Sequence, residues 1–91
     1  MSVTVRIPTQ LRTLTGGTGE LSLEGSTVGE VLKALDAAHP GMGDRLFDEA
    51  GGLRRFVNVF LDDEDVRFLQ GLDTAVADRQ TVSIVPAVAG G

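Results

Sequence analysis

The fold is decided by residues 20–35, which have the sequence ELSLEGSTVGEVLKAL. Apolar and polar residues alternate over residues 20–24, which predicts a strand with one buried face. Thr27 and Glu30 then form a capping box, the pattern that begins many helices. Apolar residues follow at i, i+3, i+4 and i+7, the spacing of an amphipathic helix, at Val28, Val31, Leu32 and Leu35. The stretch therefore predicts a strand that leads directly into a helix.

The same alternation predicts further strands at residues 1–7, 55–61, 66–68 and 81–87. The order is then β-β-α-β-β-β, and one helix covers one face of a mixed sheet of four to five strands. This is an α+β domain with the order of a β-grasp, or ubiquitin-like, fold. We expect residues 1–85 to form the domain and residues 86–91 a flexible tail.

The connections are predicted from polar and glycine-rich stretches. Residues 9–19 should be a polar link with a glycine hairpin tip, and residues 62–65 a charged turn. Asp44 could cap a short helical turn, and His39 should cap the end of the main helix. In the connector at residues 71–80, we expect three side chains to pack under the sheet: Leu72, Ala75 and Val76.

The composition excludes several kinds of chemistry. The 91 residues include no Cys and one His, so no disulfide scaffold, thiol nucleophile or zinc–thiolate site is expected. With 8 basic and 13 acidic residues the net charge is −5, which argues against nucleic-acid binding. No membrane-spanning run or signal peptide is recognised, so we expect the cytoplasm and no membrane partner. The acidic run at residues 62–65 lacks the spacing of a calcium loop, so no metal site is predicted.

Two surfaces are candidates for partner contacts. Phe56, Phe60 and Val85 should lie on the sheet face opposite the helix, where an exposed apolar patch often marks an interface. The second is the C-terminal sequence PAVAGG at residues 86–91. Six extended residues reach about 20 Å. Small uncharged side chains would let such a tail, with Val88, Ala89 and Gly90, enter a narrow active site and present the carboxylate of Gly91.

With these features the chain resembles the ubiquitin-like sulfur carriers of the ThiS and MoaD type. It is especially similar to the MoaD-like branch that includes the CysO-like carriers for cysteine synthesis in actinobacteria. The resemblance extends over essentially the whole chain and is most specific in four segments: FVNV at 56–59, DEDVRF at 63–68, GLDT at 71–74 and PAVAGG at 86–91.

The resemblance implies a protein co-substrate with no catalytic residue of its own. An E1-like enzyme would use ATP to adenylate Gly91, and sulfur would then replace AMP to give a thiocarboxylate. A PLP-dependent cysteine synthase would let this sulfur attack an aminoacrylate made from O-phosphoserine, and an acyl shift would leave cysteine linked to Gly91. A zinc metalloprotease would release the cysteine. ATP, PLP and zinc would belong to the partners, and the chain would bind no cofactor itself.

One stretch departs from the family pattern. These carriers commonly have Asp-Gly-Asp before the last strand, whereas this chain has Asp78-Arg79-Gln80. The missing glycine makes a turn with positive φ less comfortable.

Three alternatives to a cysteine-pathway carrier stay open. The chain could be a MoaD-type small subunit of molybdopterin synthase, a protein modifier that forms isopeptide bonds, or an interaction module with an inert tail. Homotypic chains are disfavoured because Lys33 is the only lysine.

Overall fold

A computed structural model describes residues 2–55 and 57–86 of the chain. In this part, the strands are β1 (Val3–Arg6), β2 (Glu20–Leu23), β3 (Val57–Leu61), β4 (Glu64–Asp65) and β5 (Thr81–Pro86). The α-helices are α1 (Val28–Ala38) and α2 (Met42–Leu46), and short 3-10 helices span Thr9–Thr15, Val66–Phe68 and Gly71–Asp73. No helix within these residues is long and apolar enough to cross a membrane.

The described strands form one mixed sheet in the order β2-β1-β5-β3-β4. Neighbouring strands are antiparallel except for β1 and β5, which are parallel. Alternate residues of the central strands face α1 and are buried: Val3, Val5, Val57, Val59, Leu61, Val82 and Ile84. They pack with the apolar stripe of the helix, Val28, Val31, Leu32 and Leu35. The predicted β-grasp fold is confirmed.

The start of α1 is held by both residues of the predicted capping box, although Glu30 bonds the residue before the N-cap Thr27. The Thr27 hydroxyl accepts a hydrogen bond from the backbone N–H of Glu30 at 3.2 Å. The Glu30 carboxylate accepts one in return from the N–H of Ser26 at 2.9 Å. Gly29 lies in the first turn, where an added Cβ would come within 3.1 Å of the Leu72 carbonyl oxygen. The glycine therefore permits close packing of α1 against the connector.

The connection between β1 and β2 differs from the predicted polar link. The two strands do pair antiparallel. However, Thr9–Thr15 form a 3-10 helix that buries Leu11 and Thr15 against the domain. Gly16 ends this helix with a φ of 67°. The prediction missed the helix because its few apolar residues are scattered among polar ones.

The start of α2 is capped by a different residue from the one predicted. Asp44 lies within the first turn of α2, so its prediction as the cap is wrong, and Gly41 is the N-cap residue with a φ of 101°. The Asp36 carboxylate of α1 accepts from the N–H of Gly43 at 2.7 Å and so holds α2 against α1. His39 is the C-cap residue of α1, as predicted, and its backbone N–H donates to the Leu35 carbonyl at 2.9 Å.

The predicted strand at residues 66–68 is wrong. The Asp65 carboxylate accepts from the N–H of Arg67 at 2.8 Å, and this local bond begins a 3-10 helix where the strand was expected. Alternation over three residues is too short to distinguish the two conformations. The charged turn is shorter than predicted, since only Asp62 and Asp63 form it and the next two residues are β4.

The connector at residues 71–80 packs under the domain with two of the three predicted side chains. Val76 is buried and Leu72 packs against the core, but Ala75 is exposed. The backbone of Ala75 bridges that of Thr27 in an extended stretch. Its neighbours Thr74 and Val76 are both buried, so the side chain of Ala75 points to the opposite side. Arg79, where related carriers commonly have glycine, has a φ of 72°. The positive-φ turn is therefore kept without the glycine.

Candidate functional site

The predicted site is a tail that leaves the domain from β5. This strand lies between β1 and β3, so the tail departs from the middle of the sheet. Pro86 is the last described residue, and it pairs with Val57 of β3. The structure thus describes the base of the tail. The predicted tail residues Val88, Ala89, Gly90 and Gly91 lie outside the described residues, so their roles stay predictions.

An open groove runs beside the base of the tail. Pro86 and Val57 form its sheet side, and the end of α2 with the loop that follows forms the other. Arg54 connects the two sides, because its Nε donates to the Asp44 carbonyl at 2.8 Å. The charged residues that line the groove are Asp44, Arg45, Asp48, Arg54 and Arg55. Three arginines and two aspartates therefore line the groove beside Pro86, although the net charge of the chain is −5.

The predicted partner face is present on the sheet surface opposite α1. Val85 is 44% exposed and Phe60 is half-buried. Asn58 lies opposite Val85, and Ser83 lies opposite Phe60, so Phe60 and Val85 are diagonal neighbours on adjacent strands. The third predicted member, Phe56, lies outside the described residues. The two described residues form a small apolar area, and whether it binds a partner stays a prediction.

Sequence reasoning missed one prominent apolar side chain. Phe68 is 88% exposed, and the adjacent Leu69 is 39% exposed. Phe68 was overlooked because the strand predicted at residues 66–68 did not distinguish it from its neighbours. The exposure follows from the 3-10 helix, which buries Val66 and directs the next residues outward.

The acidic run at residues 62–65 has structural partners. The Asp62 carboxylate accepts from the Thr81 N–H at 3.1 Å and from Nε2 of Gln80 at 3.0 Å. The Asp65 carboxylate accepts from the backbone of Arg67. Across residues 2–55 and 57–86, no three His, Asp or Glu side chains are grouped so that they could hold a metal ion. Asp62 and Asp65 therefore stabilise the two ends of this stretch.

Comparison with known proteins gives consistent relationships. The ThiS family model matches residues 5–91. The sulfur carrier protein CysO of Mycobacterium tuberculosis is 53% identical over 93 residues, which cover 100% of both chains. One chain of the crystal structure of the Amycolatopsis orientalis BexX/CysO complex superposes with a TM-score of 0.92 at 49% identity, over 98% of this chain and 99% of that one. Small archaeal modifier protein 3 of Haloferax volcanii is 41% identical over 66 residues, which are 72% of this chain and 71% of the relative.

Proposed function

This chain belongs to the ThiS family, and from that membership we propose that it is a sulfur carrier that donates sulfur for cysteine biosynthesis. The observation that carries the proposal is the 53% identity to the sulfur carrier protein CysO across the full length of both chains. The backbone agrees with this relationship, as shown by the TM-score of 0.92 to a chain of the BexX/CysO complex.

The chemistry is proposed to take place at the carboxylate of Gly91. A carboxylate is a poor electrophile, so one of its oxygens first attacks the α-phosphate of ATP and releases pyrophosphate. The resulting acyl adenylate has AMP as a good leaving group. A sulfur nucleophile then displaces AMP at the carbonyl carbon and leaves a thiocarboxylate. The chain supplies the acyl group and its partners supply the catalytic residues, since the sequence contains no Cys and one His.

The proposed partners act on the tail in turn. An E1-like enzyme binds ATP and activates Gly91, a PLP-dependent cysteine synthase accepts the sulfur, and a zinc metalloprotease releases the product. In this scheme the carrier binds no cofactor of its own and is not an enzyme. The CysO of A. orientalis is seen in complex with BexX, which supports recognition of such a carrier by a second protein. Because the proposed activating enzyme requires ATP, we assign the carrier to the cytoplasm.

Protein modification is the second candidate function. It is favoured by the 41% identity to small archaeal modifier protein 3 of H. volcanii. The same acyl adenylate would then be attacked by a lysine amine of a target protein, which forms an isopeptide bond and releases AMP. Lys33 is the only lysine of this chain, so the carrier offers a single side-chain amine for attachment to itself.

A transfer experiment tests the cysteine assignment. The thiocarboxylate form of the chain is incubated with a cysteine synthase and O-phosphoserine, and the intact mass is followed. We expect the thiocarboxylate chain to gain the mass of one aminoacrylate, because the sulfur that it already carries becomes the thiol of the cysteine linked to Gly91. A chain with the ordinary carboxylate should gain nothing. Transfer of sulfur to a molybdopterin synthase large subunit, with none to the cysteine synthase, would overturn the assignment.

A further inference from the structure

The side chain of Arg67 makes an unusual set of contacts with the start of β3. Its Nη2 donates to the Val57 carbonyl at 2.8 Å, the Arg54 carbonyl at 3.1 Å and the Arg55 carbonyl at 3.2 Å. Its Nη1 donates to Oδ1 of Asn58 at 2.9 Å. One guanidinium group therefore holds three backbone carbonyls and one side-chain amide of a five-residue segment. Within the described residues, it makes these contacts without a salt bridge.

The backbone of Arg67 is itself held in place, on the exposed surface of the domain. The Asp65 carboxylate accepts from its backbone N–H at 2.8 Å, and Val66 beside it is fully buried. The guanidinium thus extends from a short helix that is attached to the core on one side and to β4 on the other.

Arg67 occupies an edge of the sheet that no described strand covers. The N–H of Asp62, directly after β3, points toward β5 and donates to the carbonyl of Thr81, the first residue of β5, at 2.8 Å. Backbone groups alternate between the two sides of a strand. Val57 lies five residues before Asp62, an odd number, so its carbonyl points away from β5. β4 has only two residues, and they pair with Phe60 and Leu61 at the other end of β3. The guanidinium therefore satisfies the Val57 carbonyl, which a longer β4 would otherwise have bonded.

This contact lies next to the base of the tail. Val57 pairs with Pro86, and Asn58 pairs with Val85. Two of the residues that Arg67 holds are thus the direct partners of the last two residues of β5. Arg54 and Arg55, whose carbonyls it also holds, line the groove beside Pro86.

We propose that Arg67 is a positioning residue for activation of the tail: by holding Arg54–Asn58 it fixes the strand end from which residues 87–91 reach into the activating enzyme. The inference rests on the proposed function, since it needs Gly91 to be the reacting group. Without the guanidinium, the carbonyls of Arg54, Arg55 and Val57 and the side chain of Asn58 lose a donor, and the pairing of Val57 with Pro86 loosens. The tail base then samples several positions, so fewer bound chains present the carboxylate correctly to ATP.

Lysine does not replace arginine here. An ammonium group is a compact donor with a single nitrogen. The planar guanidinium reaches Asn58 with Nη1 and the three carbonyls with Nη2. Arg67→Lys therefore keeps the charge and removes the geometry. Arg79→Lys is the matched control, because the Arg79 side chain is 92% exposed and its ion pair with Asp78 is long, at 3.9 Å.

The test compares wild type, Arg67→Lys and Arg79→Lys in adenylation by an E1-like activating enzyme, measured as pyrophosphate release. The temperature is chosen so that circular dichroism shows all three chains fully folded. For Arg67→Lys we expect kcat to fall by about tenfold or more, with KM within about twofold of wild type. We also expect faster hydrogen exchange at the Asn58 amide, and no change at the Val5 amide between β1 and β2. Arg79→Lys should match wild type in both measurements.

An unchanged kcat for Arg67→Lys would overturn the proposal. A rise in KM with unchanged kcat would also overturn it, since Arg67 would then be a docking contact. If the wild-type chain is not adenylated, the proposed function fails instead. The exchange measurement still tests the contact between Arg67 and the strand end in that case. Unaltered protection of the Asn58 amide in Arg67→Lys would show that the guanidinium does not hold the strand end.

Discussion

Val57 of β3 connects Arg67 with the base of the C-terminal tail: it pairs with Pro86 of β5 on one side, and its carbonyl accepts a hydrogen bond from Arg67 on the other. The tail therefore begins where β5 still lies beside β3. A short tail places its last residue accurately only if its base is fixed, because any movement of the base also displaces the last residue. The β-grasp domain thus contributes a rigid support and a recognition surface to chemistry that takes place at Gly91.

The partner face can be tested by introducing a charge. Phe60→Asp places a carboxylate beside Val85 on the sheet surface opposite α1. We expect the binding of the activating enzyme to weaken by about 1–3 kcal/mol, measured by isothermal titration calorimetry. Ala37→Asp is the control, because Ala37 is exposed on α1, which covers the other face. Equal affinity of Phe60→Asp and wild type would place the interface elsewhere, and the exposed Phe68 would be the next residue to change.

Arg79 provides a test of backbone strain. Its φ of 72° is costly for a residue with a Cβ, by about 1–2 kcal/mol. Arg79→Gly should therefore raise the free energy of unfolding by about 1 kcal/mol in urea titrations, after the larger backbone entropy of glycine is deducted. The N–H of residue 79 still donates to the Ser2 carbonyl in this variant.

Asp62→Gly is the matched control for this change. Asp62 also has a positive φ, of 54°, but its carboxylate accepts hydrogen bonds from Thr81 and Gln80. Removing that carboxylate should cancel the gain, so Asp62→Gly should not stabilise the chain. A lower stability for Arg79→Gly than for wild type would contradict the strain argument.

Gly29 separates helix propensity from packing. In an isolated helix, Gly→Ala is stabilising by about 1 kcal/mol. Here the added Cβ would lie 3.1 Å from the Leu72 carbonyl oxygen and 3.3 Å from its Cβ, so the connector has to shift. We expect Gly29→Ala to lower the free energy of unfolding by about 1–2 kcal/mol. Gly52→Ala, where the nearest atoms are 3.9 Å away, should change it by less than about 0.5 kcal/mol. A more stable Gly29→Ala chain would refute the packing role of this glycine.

Much of the fold could be predicted because it depends on spacing between near neighbours. The period of two in β1 and β3 and the helical spacing from Val28 to Leu35 each identify a buried face, and the structure has those faces. The capping box of α1 was likewise visible because its donor and acceptor are three residues apart. These are local patterns that fix the register of an element.

The missed features depend on contacts between distant residues. Asp36 holds the start of α2 from seven residues away, so the nearer Asp44 was the more obvious candidate for the cap. Arg67 binds backbone carbonyls 10 to 13 residues earlier, and carbonyls carry no side-chain identity that a sequence could reveal. Of the candidate site, the sequence indicated Phe60, Val85 and the tail. The contacts of Arg67 near the tail base could be identified only from the folded structure.

Removal of the last glycine tests the position of the chemistry. A chain without Gly91 ends in Gly90, and its carboxylate lies one residue short of the place that the tail should reach. We expect ATP–pyrophosphate exchange by the activating enzyme to be lost, while the circular dichroism spectrum and unfolding curve stay those of wild type. A chain extended by one residue beyond Gly91 should fail in the same way. Normal activation of the extended chain without trimming would rule out Gly91 as the reacting group.

The most direct test of the central claim is the intact mass of the chain after incubation with an E1-like activating enzyme, ATP and a sulfur donor. We expect the mass to increase by the difference between one sulfur and one oxygen atom, and fragmentation to place the change at Gly91. Omission of ATP should abolish the increase. An unchanged mass with an enzyme that converts a known carrier in the same reaction would contradict the claim that this chain carries sulfur.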